Sequence, residues 1–231
     1  MDSEKKYDDR FKLIDGLKWL PWVGKNYDKT GVLIIAESHY GGKTEFKADG
    51  SDNTEEDFTR KAFVKRHADG VNMWKMPNNL MRAVWDGDCC VEKRKIFWEN
   101  VAFYNHVQKL MELATRQRPS DEDFRNGWDV FPEVVKILKP DYCLFIGLKA
   151  SDWFNRKMQE KGLSYEPVYK MEKINGVRPR RFTLTVDGHR TEITGIKHTS
   201  RYFSWKKWYD FLSNKNNNWT EPLERCRSKP Q

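Results

Sequence analysis

The chain has 231 residues, 38% of them apolar and 33% charged, with a formal net charge of +8 at pH 7. The 10 Trp, 13 Phe and 9 Tyr offset the low apolar fraction, because each aromatic ring buries a large area and lets one packed domain form. The positive balance favours a polyanionic partner such as nucleic acid over an acidic one, and without an apolar run of about 18 residues no membrane-spanning helix is expected.

The opening stretch, MDSEKKYDDRFK, lacks the apolar centre of a secretory signal, so a cytoplasmic protein is expected. Cys89, Cys90, Cys143 and Cys226 form no C-x-x-C pair. Cys143 lies in an apolar run and reads as core; neither a metal nor any other cofactor is expected. No repeat and no Pro-, Gly- or Ser-rich linker divides the sequence. Residues 1–214 therefore read as one domain and 215–231 as a polar, frayed tail.

In chain order, residues 11–20 (FKLIDGLKWL) have helical apolar spacing, and residues 31–36 read as a buried strand. Residues 41–70 form a long polar insertion with a short basic helix at 58–66, and loops of that length tend to be functional. Met73 to Val84 are spaced as a helix, and Lys95 to Ala114 read as one long or kinked helix. Ser120, three residues before Asp123, is an N-cap signal, while Pro132 marks the start of the following helix. KPDYCLFIG is a second buried strand, and KASDWFNRKMQ starts the next helix. In RRFTLTVDGHRTEITGI two strands join at Asp187-Gly188, a hairpin signal, and SWKKWYDFL is a C-terminal amphipathic helix. Buried strands separated by helices predict an α/β fold with a mostly parallel sheet, whose ligand site lies beyond the carboxyl ends of the strands.

Two polar segments fall at such ends. Glu37, Ser38, His39 and Tyr40 follow the first strand. Lys197, His198, Thr199, Ser200, Arg201, Tyr202 and Phe203 follow the strand that finishes at Ile196. The order of these segments resembles the uracil-DNA glycosylase superfamily. There a first motif reads G-Q-D-P-Y, G-x-N-P-G or G-E-x-P-G, and a last motif reads H-P-S ahead of a loop that wedges into DNA. AESHY (36–40) is similar to the first and HTS (198–200) to the last; between them LKPDYCLFIGLKASDWF is similar to the middle strand and turn, and Asn105 to the residue that reads the flipped base. The four motifs keep their order from about residue 30 to residue 213.

The resemblance implies a three-layer α/β/α sandwich with a central, mostly parallel sheet. The implied activity is cofactor-free hydrolysis of the N-glycosidic bond of a flipped pyrimidine by a monomer, leaving an abasic site in DNA. His198 would donate to O2 of the departing base. Lys197, Ser200 and Arg201 would hold phosphates, and an aromatic side chain of the wedge loop, Tyr202 or Phe203, would fill the gap left by the base. Ser38, Tyr40 and Asn105 would contact the base. Ser38 stands where the family has a water-positioning Asp or Asn, and Thr199 replaces Pro, which implies a less rigid backbone. Water handling then falls to Glu37 or His39, or catalysis rests on leaving-group stabilisation with an oriented water. The base is expected to be uracil or a modified pyrimidine, hypermodified cytosine of phage DNA included, which would make the activity antiviral. Two other classes are a non-catalytic DNA-binding module and a nucleoside hydrolase. Lys61, Lys65, Arg66, Lys206, Lys207 and the VRPRR cluster (177–181) are expected to line the DNA surface.

Overall fold

A computed structural model describes residues 2–47, 52–71, 74–85, 89–200, 202–214 and 219–227. The expectations for Met73, Arg201 and, in the tail, residues 215–218 and 228–231 lie outside them. The chain opens with a short helix α1 (Asp8–Phe11) and an edge strand β1 (Trp22–Val23), then α2 (Tyr27–Thr30) and β2 (Val32–Ala36). The helix predicted over 11–20 does not form. Gly16 takes φ +78°, and the backbone N–H groups of Lys18 and Trp19 donate to Gln108 Oε1 rather than to a preceding turn.

After β2 come β3 (Tyr40–Gly41), a π-helical segment Thr59–Lys65 and α3 (Arg66–Ala68), which realise the helix expected at 58–66. Then follow α4 (Lys75–Trp85), α5 (Val91–Glu99), β4 (Ala102–Asn105) and β5 (Met111–Glu112). The predicted helix from Lys95 to Ala114 thus ends at Glu99. Beyond it the four residues of β4 are fully buried between β1 and β2, and tertiary pairing overrides the helical spacing.

Helix α6 (Asp121–Leu138) begins at Ser120, whose Oγ accepts from Asp123 N–H at 3.1 Å. It runs through Pro132, so the expected helix start there is wrong; the capping signal twelve residues earlier sets the true start. The remainder is β6 (Tyr142–Ile146), α7 (Phe154–Glu160), β7 (Ser164–Lys170), β8 (Arg180–Val186), β9 (His189–Ile196), α8 (Trp205–Leu212) and α9 (Glu221–Arg227). Asp187 and Gly188 both have positive φ, as the predicted hairpin turn between β8 and β9 requires. Trp219 and Leu223 are buried, so residues 219–227 are not the frayed tail expected from their polarity.

Seven strands form one sheet in the order β1-β4-β2-β6-β9-β8-β7. The inner four, β4, β2, β6 and β9, are parallel, and antiparallel strands flank them on both sides. Successive residues of β2 enter two different apolar clusters. Leu33 and Ile35 pack with α6 and α7, whereas Val32, Ile34 and Ala36 pack with residues of α4, α5 and α8. All five are buried, as a strand covered on both faces must be. Among the described residues no helix is long and apolar enough to cross a membrane.

The insertion is anchored to the domain by one buried ion pair. Arg60 forks onto Asp8, with Nη1 to Oδ2 at 2.9 Å and Nη2 to Oδ1 at 2.6 Å, and its Nε–H donates to Pro21 O at 2.8 Å. Replacing Asp8 by Ala strands a buried guanidinium, so Asp8→Ala is expected to lower unfolding free energy by about 2–3 kcal/mol. Urea denaturation measures this, and a change below about 0.5 kcal/mol, the size of an ordinary surface substitution, would show the anchor to be dispensable.

Candidate functional site

Because the inner four strands are parallel, Ala36, Asn105, Ile146 and Ile196 end at one edge of the sheet. The register aligns Ala36 with Asn105, and His106 N–H and Val107 N–H donate to Ala36 O and Glu37 O at 2.8 and 3.0 Å. The segment after β2 is therefore stitched to the segment after β4. Beyond this edge lies a cavity of about 470 Å³. Ser38, His39, Tyr40, Asn105 and His198 all line it, so five residues singled out from three distant parts of the sequence meet in one place.

Two polar atoms in the wall have no partner: Ser38 Oγ and Asn105 Oδ1 are buried without a hydrogen bond. A protein rarely leaves such groups orphaned unless a ligand or water takes them up. His198 Nδ1 lies 3.0 Å from Ser200 Oγ. Burial, with Arg118 adding like charge, pulls the His198 pKa down to about 4, so the ring is neutral at pH 7. A Ser200 hydroxyl donating to Nδ1 leaves the ring proton on Nε2. Ser200, expected to grip a phosphate, thus turns its hydroxyl to the imidazole.

His39 is held differently. Its ring packs edge-on against Trp19, Phe58 and Phe63, and Nε2 lies 2.9 Å from Thr59 Oγ1. Burial drops its pKa to about 3, which makes it a weak proton acceptor. Glu37 does not line the main cavity. Its side chain faces a smaller void with His106, Phe145 and Gly147, where Arg118 approaches to 3.8 Å. Burial raises the Glu37 pKa and Arg118 opposes that. Gly147 permits this placement, since at φ +112° an added Cβ would stand 2.9 Å from Glu37 Oε2.

The last loop is tied down where Pro was missing. Thr199 is fully buried; its Oγ1 donates to Met76 O at 3.0 Å, and Asn79 Nδ2 donates to the carbonyls of Thr199 and Ser200. The less rigid backbone expected of Thr199 is thus countered by anchorage to α4. Tyr202 projects into solvent, 89% exposed, from a left-handed backbone at φ +56°. That conformation costs a non-glycine residue free energy. Lys197 Nζ donates to Tyr202 O at 2.8 Å and so supports the projecting loop. Phe203 instead stacks on Trp208, which is core. A polar groove beside the loop is lined by Lys75, Asn79, Asn175, Ser200, Tyr202 and Ser204.

Several lining residues carried no signal of their own in the sequence: Phe58, Ala62 and Phe63 from the insertion and Trp74 from the approach to α4. Arg66, expected on a DNA surface, stands in the cavity wall with them. Phe58 and Phe63 are five residues apart, a spacing that brings side chains together across a π-helical turn rather than an α-helical one. Arg118, between Glu37 and His198 electrostatically, was also missed. Of the expected basic surface, Lys61 pairs with Asp57 at 2.6 Å and Lys65 approaches Asp2 at 3.8 Å, which reduces their pull on an anion. Among the described residues no group of three or more His, Cys, Asp or Glu could hold a metal ion. A scan against protein-family models gives no match, and a search of the curated proteins gives none either.

Burial lowers the pKa of His39 to about 3 and of His67, His106 and His198 to about 4, from an ordinary 6.5. Between pH 6.5 and pH 4 the unfolded chain therefore binds more protons than the folded one, and stability falls as pH falls. Urea midpoints measured across that window are expected to drop continuously; a flat profile would mean that the imidazoles are solvated and the cavity wall open.

Proposed function

We propose that the protein is a DNA glycosylase that hydrolyses the N-glycosidic bond of a flipped pyrimidine, uracil or a modified pyrimidine, and leaves an abasic site. On this reading the fold is a three-layer α/β/α sandwich, with the two apolar clusters as its two interfaces. The observation that carries the proposal is the convergence of Ser38, Tyr40, Asn105 and a neutral His198 on one cavity at the strand ends. That cavity offers unspent hydrogen-bonding capacity at Ser38 Oγ and Asn105 Oδ1, which suits the polar edge of a base taken out of the stack. The exposed Tyr202 suits the gap that the base leaves in the duplex. The neighbouring groove with Lys75 and Asn79 suits the sugar–phosphate backbone.

The chemistry is a displacement at C1′. The C–N bond breaks, its electron pair stays on the base, a water oxygen bonds to C1′, and the proton that water loses balances the protonation of the freed base. Negative charge builds on the base, and a neutral imidazole Nε2–H aimed at its carbonyl stabilises it without a proton first being lost. The low pKa of His39 and its bond to Thr59 argue against a strong general base there. Glu37 faces a separate void. Leaving-group stabilisation with an oriented water is therefore the favoured mechanism. The placing of Glu37 also favours one second reading, a module that binds the flipped base without cutting it.

Duplexes and single strands carrying defined pyrimidines, assayed for alkali-labile abasic sites, test the proposal; no abasic product from any pyrimidine would leave only the binding reading. His198→Ala is expected to lower the single-turnover rate about 10²-fold, while DNA affinity stays within about threefold. Tyr202→Ala is expected instead to lower the flipped population, read by 2-aminopurine fluorescence next to the target base. Equal loss of binding in both variants would contradict this division of roles.

A further inference from the structure

The cavity exceeds what one unsubstituted pyrimidine ring fills. At about 470 Å³ it falls within the range of pockets that enclose drug-sized ligands, about 300–1,000 Å³. Its lining has two parts. Ser38, Asn105 and His198 stand at the sheet edge, where the base proposed above would be read. Glu45, Phe58, Phe63, Arg66 and Trp74 come from the long insertion and the approach to α4.

The second part has its own chemistry. Glu45 Oε2 accepts from Gly42 N–H at 2.8 Å and from Thr44 Oγ1 at 2.9 Å, which fixes the carboxylate in place. Among the described residues Oε1 accepts no hydrogen bond, so one oxygen of a positioned carboxylate is open. Trp74 is 46% exposed and stacks on Phe63, with ring centroids 5.7 Å apart and planes at 28°. An indole held by stacking on one side presents an apolar platform, and a positioned carboxylate lining the same cavity accepts strongly from hydroxyl donors. The Arg66 guanidinium in the same wall can donate to hydroxyl oxygens, while Glu45 repels an anionic group. Neither uracil nor cytosine has a hydroxyl or a saturated ring to use these features.

We infer that the pyrimidine taken by this cavity carries a bulky, hydroxyl-rich, sugar-like substituent seated on Trp74 and hydrogen-bonded to Glu45. The inference rests on the reading of the cavity as a base pocket, and it makes the insertion the specificity element.

Matched oligonucleotides containing uracil, 5-hydroxymethylcytosine or glucosylated 5-hydroxymethylcytosine test it, with equilibrium binding and base release both measured. The glucosylated base is expected to be bound and released at least about tenfold better than 5-hydroxymethylcytosine, the gain of one hydrogen bond to a charged group. Glu45→Gln, which keeps the acceptor for Gly42 N–H, and Trp74→Ala are each expected to cut that ratio about tenfold, with the wild-type thermal transition retained in at least one of them. Release of uracil or 5-hydroxymethylcytosine as fast as the glucosylated base would overturn the inference and leave the glycosylase proposal standing. Preferred binding of glucosylated DNA, lost in Glu45→Gln but without release of any base, would support the inference and overturn the glycosylase proposal. Equal binding of all three without release would overturn both.

Discussion

The site depends on the parallel pairing of β2 between β4 and β6. That register sets Ala36 against Asn105 and brings the residues after β2 into backbone hydrogen bonds with those after β4. A slip of one residue would turn every side chain of β2 to the opposite face. It would also remove Ser38 from the wall that it shares with Asn105. The register is well determined because both faces of β2 are buried, with alternate residues committed to separate apolar clusters. Burial of Val32 to Ala36 is thus what fixes the distance between polar groups that lie beyond the strand.

The same burial sets the electrostatics. His39 and His198 are neutral because burial desolvates them, and the charge of Arg118 depresses His198 further. Hydrogen bonds in so buried a wall are stronger than in water, and polar atoms left without partners cost more. Ser38 Oγ and Asn105 Oδ1 are such atoms. Under the proposed reading the folded protein holds an unfavourable wall that an incoming base relieves. One cation, Arg66, stands in the cavity wall itself, while Lys197 supports the projecting Tyr202 loop from outside it.

The strand ends were legible in the sequence because a buried run followed at once by Glu37-Ser38-His39-Tyr40, or by His198-Thr199-Ser200, has few structural explanations. The hairpin at Asp187-Gly188 was legible because two successive residues at positive φ leave few residue choices. Strand β4 was hidden: AFYN is too short to show alternation and followed a genuine helix without a break in spacing. The walls built by Phe58 and Phe63 were hidden too, since a π-helical turn shifts the pairing of side chains away from the usual three-and-four spacing. Glu37 was legible as a polar residue at a strand end, but the smaller void that it faces is shared with Gly147, more than a hundred residues away.

The most direct measurement is a structure of the protein bound to DNA that carries a pyrimidine nucleotide with a 2′-fluorine, which slows loss of the base. Base flipping predicts the pyrimidine inside the cavity, with its O2 about 2.7–3.1 Å from His198 Nε2 and Tyr202 in the vacated stack. A target base still paired in the duplex, with DNA lying elsewhere on the surface, would contradict the assignment of this cavity.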